Sequence, residues 1–399
     1  LHLSLRRQRQ MCIRDRLWRN QESRGVIIQI ITMAVVFALL AAIARNVVIN
    51  LEAVGKEFSF GFLLWPAAYD IGFSPFLEYT NQSTHLRAAV VGLLNTLLIA
   101  FWGCILATMV GFVLGIMRLS SNWLVSKLSY AFVEFMRNVP ILIHILAIYA
   151  IVVTLLPPAK KALNVGADAF FLSNRGFYVP SPVFEDGATI VGIVLLISIA
   201  LVYFFKRWAR RQQDDTGKIY PVLWLSLGIL VALPGIAFIA TGMPLSWDVP
   251  VLKGFNFKGG MAIKPEFLAL WLALSLYTAC FIAEIVRAGI LAVSHGQTEA
   301  AFALGLRPNR TLQLIIIPQA LRVIVPPLCS QYLNLTKNSS LAIAIGYMDI
   351  TATLGGISLM QTGKEMETML IVMGVYLVIS LLISSFMNWF NHRIKLTER

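Results

Sequence analysis

The sequence predicts an all-α polytopic membrane protein with about eight transmembrane helices. Three observations lead there. Hydrophobic residues make up 58% of the chain and charged residues 13%, about half the roughly 25% charged found in soluble domains. Apolar runs of about 20 residues recur, each long enough to cross a bilayer as helix. Open sheet is excluded at that depth, because lipid offers unpaired backbone groups no partner.

Eight spans follow from the apolar runs: 25–44, 88–117, 139–156, 188–205, 220–240, 267–292, 314–335 and 369–390. The first closes on "AIA", a pattern of signal-peptidase sites. Its apolar run exceeds the roughly 7–15 residues of a signal peptide, so a retained anchor is expected. A polar, aromatic-rich loop, 45–87, follows it. The stretch "SSNWLVSKLSYAFVEFMRN" (120–138) sets Trp123, Leu124, Leu128, Ala131, Phe132 and Phe135 opposite a polar face at helical spacing. Such a helix is expected to lie along the membrane interface. Loops 157–187 and 241–266 are rich in Pro, Gly and aromatics and are expected to be ordered turns outside the membrane. "SLAIAIGYMDITATLGG" (340–356) is apolar but broken by Asp349 and glycines. It is expected to form a partial or re-entrant helix packed against protein.

The formal net charge of +13 suits basic loops on one membrane face rather than a nucleic-acid partner. An even span count puts both termini on one side. Counting Arg287 and Arg322 within the adjoining spans, that side holds 22 Lys and Arg against 11 on the other, or 17 against 11 without the first 16 residues. The cluster "KRWARRQQDD" (206–215) dominates it. Both termini are therefore expected in the cytoplasm, together with the polar hairpin "GQTEAAFALGLRPNRTLQLIIIPQ" (296–319). Residues 1–16 lack a leading Met and contain "MCIRDR", which resembles a translated transposon end from library preparation. They are expected to be a sequencing artefact. The remainder divides into an anchor helix with its loop, 17–87, and a core, 88–399.

Catalytic chemistry finds no footing. His85, His144, His295 and His392 lie far apart with no HExxH, and Cys12, Cys104, Cys280 and Cys329 lack metal-ligand spacing. Gly363-Lys364 is followed by Glu365 where a phosphate loop needs Ser or Thr. The polar residues within spans carry more information. Glu284 and Arg287, at i and i+3, share a helix face and can pair. A lone charge at the bilayer centre costs about 2.5–3.5 kcal/mol, so both should face protein or water. Pro326 and Pro327 cannot donate backbone hydrogen bonds and should kink their helix. Gln331, Asn334, Thr336 and Lys337 make the end beyond them polar.

The hairpin resembles the cytoplasmic EAA loop of ABC-importer permeases. That pattern is Glu-Ala-Ala, three residues, Gly, nine residues, Ile, one residue, then Leu-Pro. Here it falls on Glu299, Ala300, Ala301, Gly305, Ile315, Ile317 and Pro318, with only the Leu changed, to Ile317. "LLNTLLIAF" (93–101), "FVEFMRNVPILIHI" (132–145) and "FIAEIVRAGILAVSHGQTEAAFALG" (281–305) also look like the polar-amino-acid branch of type I importers. The first span, the long 45–87 loop and the extra middle spans resemble general L-amino-acid permease subunits within it.

The resemblance implies a MetI-like permease core of an inner-membrane amino-acid importer. A coupling loop over 293–319 would rest on a separate cytosolic ATPase dimer through Gly296, Gln297, Glu299, Ala300, Ala301, Gly305, Leu306 and Pro318. A second homologous permease, a periplasmic amino-acid-binding protein and membrane lipid would complete the assembly. ATP and Mg would sit on the ATPase, with no cofactor on this chain and no enzymatic activity of its own. Asn95, Thr96, Glu284, Asn334 and Lys337 are the polar candidates for the substrate path. The alternative, an ion-gradient-driven carrier, predicts paired broken helices in inverted halves, and only one Pro-Pro break is present.

Overall fold

The computed structural model describes residues 21–166 and 168–394. The expectation about residues 1–16 falls outside them. Helix α1, Gln21–Ala53, is a long apolar rod, and among the described residues nothing buries its apolar window. The loop after it packs Phe62, Ala67 and Ile71 inward and returns to helix α2, His85–Met117, capped by the Thr84 hydroxyl accepting from Arg87 N–H.

Helix α3, Trp123–Asn138, begins on Asn122, whose side chain accepts from the N–H groups of Leu124 and Val125. It then turns by 107° into α4, Ile141–Leu155. The bend falls where Pro140 pushes Val139 into extended backbone (φ −99°, ψ 134°). Ser129, Val133 and Met136 of α3 face protein, whereas Trp123, Leu124, Leu128, Phe132 and Phe135 point outward. Its outward face is therefore apolar. At 15 residues, α4 is about 22 Å long and too short for a hydrocarbon core of about 30 Å by itself. Among the described residues seven helices are long and apolar enough to cross, and eight if the bent pair counts as one.

Helices α5, Ala188–Thr216, and α6, Val222–Ala240, pack on each other and stand off the rest. The loops on either side of this pair fold together, which the sequence pattern did not disclose. Strands β1 (Leu163–Gly166), β2 (Phe170–Ser173) and β3 (Gly176–Val179) pair antiparallel, and β3 then pairs with β8 (Met261–Ile263). Strand β4 (Ser181–Phe184) pairs with β5 (Leu245–Asp248), and β6 (Val251–Lys253) with β7 (Asn256–Lys258). Phe171, Tyr178 and Phe257 stack beneath the sheet, with Phe257 4.7 Å from each of the other two. The expected ordered turns are therefore one β cap outside the helical layer.

Helix α7, Pro265–Leu291, is the centre: 61% of its apolar window is buried, against 11% for α5. It runs parallel to α2, and glycines set their separation. A methyl carbon at Gly111 would lie 2.6 Å from Ile282 Cβ and 2.9 Å from the Ala279 carbonyl oxygen. One at Gly115 would lie 2.8 Å from the Ala283 carbonyl oxygen. Small residues are how helices in lipid reach such contact.

Beyond α7 come α8, His295–Ala303, and α9, Pro308–Thr311. A single wide turn at Leu312–Ile316 then leads into α10, Ile317–Asn338. Helix α10 runs continuously from Ile317 to Asn338 with Pro326 and Pro327 inside it, and a wide turn lies just before Pro318. Residues 339–358 form short 3-10 and wide-helix turns separated by Gly346 at φ +79°. They bury Ile345, Tyr347, Asp349, Ile350 and Leu354. A one-turn helix α11, Leu359–Thr362, leads to α12, Glu365–Ile394.

Replacing Gly111 or Gly115 by Val should force α2 and α7 apart, at about 1–3 kcal/mol each. Thermal unfolding of the purified chain in detergent checks this. Gly374→Ala, with nothing within 4 Å of its new methyl, should leave the midpoint unchanged or slightly higher.

Candidate functional site

The hairpin between α7 and α10 stands clear of the helical layer. Helix α8 ends by a local rule: Leu306 N–H donates to the Ala301 carbonyl (3.1 Å) and Gly305 N–H to the Phe302 carbonyl (2.9 Å). That pair of bonds needs a left-handed residue at Gly305, whose φ is +74°. Open space surrounds Gly305, so the turn itself calls for glycine. Of the coupling candidates, Ala301 is buried, Leu306 is half-buried, and Gly296, Gln297, Glu299, Ala300, Gly305 and Pro318 are exposed. Glu299 accepts from or pairs with His295 at 3.0 Å, and Gln319 Nε2 donates to Gln297 Oε1 at 3.3 Å across the hairpin's two arms. Phe302 and Leu304 add an apolar tip, Leu304 being 81% exposed. Neither was among the sequence candidates, although apolar side chains on a polar hairpin were a visible signal.

Just inside the hairpin, one carboxylate gathers three guanidinium groups. Glu284 on α7 pairs with Arg118 at the end of α2, with Arg137 of α3 at 3.1 Å and with Arg287 at 3.2 Å. Arg118 lies over the Tyr130 ring and Arg137 over the Phe281 ring, each 5.2 Å from the centroid. The sequence suggested the Glu284–Arg287 pair from its spacing. Arg118 and Arg137 were missed because they lie 166 and 147 positions away.

The profile described as "binding-protein-dependent transport system inner membrane component" matches residues 107–396. The chain belongs to that family. Among its relatives, the general L-amino acid transport system permease protein AapQ of Rhizobium johnstonii is 46% identical over 376 residues, 94% of this chain and 93% of AapQ. The glutamate/glutamine/aspartate/asparagine transport system permease protein BztB of Rhodobacter capsulatus is 46% identical over 406 residues, 94% of this chain and 95% of BztB. The glutamate/aspartate import permease protein GltK of Escherichia coli O6:H1 is 31% identical over 221 residues, 54% of this chain but 95% of GltK. Membership sets aside the ion-gradient carrier.

Within this family member the five substrate-path candidates do not converge. Asn95 Nδ2 donates to the Phe73 and Met348 carbonyls, both at 2.9 Å, and the Thr96 hydroxyl accepts from Ile350 N–H at 3.1 Å. Both residues are buried and tie α2 to the re-entrant segment. Glu284 meets Arg118, about 34 Å farther along α2. A compact solute cannot touch both ends at once, so these three residues do not form a single binding pocket. Asn334 and Lys337 differ again: with Ser330 they form an exposed polar stripe on α10.

Glu284→Gln should leave Arg118 and Arg137 short of negative charge. Removing one partner from a largely enclosed charge group costs about 3 kcal/mol or more. The unfolding midpoint in detergent should fall clearly, while Glu365→Gln, in an exposed pair with Lys56, should change it little.

Proposed function

We propose that this chain is the permease subunit of an ATP-driven amino-acid importer in a bacterial inner membrane, with both termini and the hairpin in the cytosol. The observation carrying the reading is the hairpin: a short helix with an exposed acid, an exposed apolar tip and a glycine-locked turn, held outside the helical layer by the span at the molecule's centre. It suits a groove on a separate ATPase dimer, where Glu299 would meet a basic side chain and Phe302 and Leu304 would fill an apolar hollow. Support for amino acids as cargo comes from the relatives, whose names specify amino-acid transport. The excess of Lys and Arg on the hairpin side supports the orientation.

On this reading ATP and Mg act in the partner ATPase, and the permease performs no covalent chemistry. A second permease subunit and a binding protein complete the assembly. Closure of the ATPase dimer displaces the hairpin, and the Glu284 clasp carries that displacement into the ends of α2 and α3 as well as α7. ATP does work because it favours the closed state over the open one. Ser330, Asn334 and Lys337 form a polar stripe unsuited to lipid. It would line the path against the second permease.

Gly305→Val forces a branched side chain into left-handed backbone, at about 1–2 kcal/mol, and should deform the hairpin without touching the core. In the assembled complex, ATPase stimulation by binding protein plus amino acid should fall several-fold, with assembly checked by co-purification. Full stimulation in Gly305→Val and Glu299→Arg alike would defeat the coupling role.

A further inference from the structure

The geometry points to an amino-acid recognition site at the opposite end of α7 from the hairpin, built around Lys264 and Glu266. A cavity of about 140 Å³ lies there, lined by Gly72, Phe73, Lys264, Glu266, Gly346, Tyr347 and Met348. A cavity of that size holds several waters or a small polar group such as an α-amino-acid head.

The charges are the telling feature. Lys264 and Glu266 line one small cavity, yet no ion pair joins them within 4 Å, and Lys264 has no acidic partner among the described residues. Glu266 receives only a long hydrogen bond, 3.4 Å, from the Tyr149 hydroxyl. A zwitterion supplies what each lacks: its ammonium donates to Glu266 and its carboxylate accepts from Lys264. Either ion alone would satisfy one residue and repel the other, so the arrangement selects against simple amines and simple acids.

The walls are held firmly. Phe73, Phe267 and Tyr347 form an aromatic triad with centroids 5.5–6.3 Å apart. Asn95, 1% exposed, clamps the Phe73 and Met348 backbones from behind, and its Oδ1 has no protein partner. The Tyr347 hydroxyl donates to the Asn95 carbonyl at 3.0 Å. Strand β8 ends at Ile263, immediately before Lys264, so the β cap, the post-α1 loop, the re-entrant segment and α7 all meet at this point. A solute released on that face would encounter the site before the helical layer.

The inference rests on the amino-acid reading above, and the test separates the two. The probe is L-glutamine, with 4-aminobutanamide, which lacks its carboxylate, and 4-carbamoylbutanoate, which lacks its amine. Binding to the full chain in nanodiscs is followed by saturation-transfer NMR. L-Glutamine should bind, and each analogue should bind about tenfold more weakly or worse. Lys264→Gln and Glu266→Gln should each lose about tenfold or more, and Lys264→Arg should restore most of the binding. Equal binding of glutamine and either analogue by the wild-type chain, or no binding of glutamine, overturns the site without relying on any variant. Proteoliposome uptake of a mixture of the twenty amino acids by the assembled complex tests the importer reading separately. Uptake with binding unchanged in both Gln variants removes the site alone; no uptake of any amino acid removes the importer reading and the site with it.

Discussion

The contact between α2 and α7 fixes where the Glu284 clasp and the Asn95 hydrogen bonds lie relative to one another. Helices sharing lipid gain no hydrophobic drive toward one another, so adhesion depends on how closely their backbones approach. Gly111 and Gly115 remove the side chains that would hold the pair apart, and Ile282, Ala283 and Val286 fill the space. That contact also fixes axial register. Once α2 and α7 are locked side by side, Arg118 must arrive opposite Glu284, and Asn95 must arrive behind residues 347–350. A slip of one turn, about 5.4 Å, would break the charge clasp and unseat the re-entrant segment together.

The two polar stations thus sit at the ends of one rigid element. Between them α7 buries Ala269, Leu270, Ala273, Leu274, Ala279 and Ile282 and carries no charge from Phe267 to Ala283. A helix of 27 residues spans about 40 Å, the depth of a bilayer with its headgroups. On the proposed coupling, such a lever needs no wire of coupled side chains: a displaced hairpin would tilt the rod, and the far end would move because it is the same rod. Charges placed midway would have needed partners there, and would have traded stiffness for a polar cavity.

How much of this was legible in the sequence depends on the range of the interaction involved. Span positions, the interface helix and the hairpin follow from local periodicity and spacing, and they needed only nearest neighbours along the chain. The bend at Val139–Pro140 was equally local, since proline constrains the residue before it. The Arg118 and Arg137 contacts to Glu284 were illegible because they join elements whose packing angle no local pattern encodes. The same holds for the β cap, whose strands are three or four residues long, too short to establish an alternating pattern. The partners of Asn95 and Thr96 were illegible for a related reason. A polar side chain within an apolar run suggests a solute path, whereas here the partner is irregular backbone that would otherwise be unsatisfied in a nonpolar setting.

The distribution of burial explains how a chain of this length relates to much shorter permeases. Helices α1, α5 and α6 bury almost nothing against the rest, 0%, 11% and 6% of their apolar windows. The Gly111–Ile282 contact, the clasp and the hairpin involve none of them. GltK aligns over 95% of its own length with 54% of this chain, so permeases of this family can be much shorter. What the additions contribute lies on the face away from the hairpin. The α5–α6 pair carries both halves of the β cap, and strand β8 hands the chain directly to Lys264. Loss of the pair would leave the helical core its adhesion and remove the structure that positions the start of α7. The α5–α6 pair therefore serves as scaffolding for the β cap and for the start of α7.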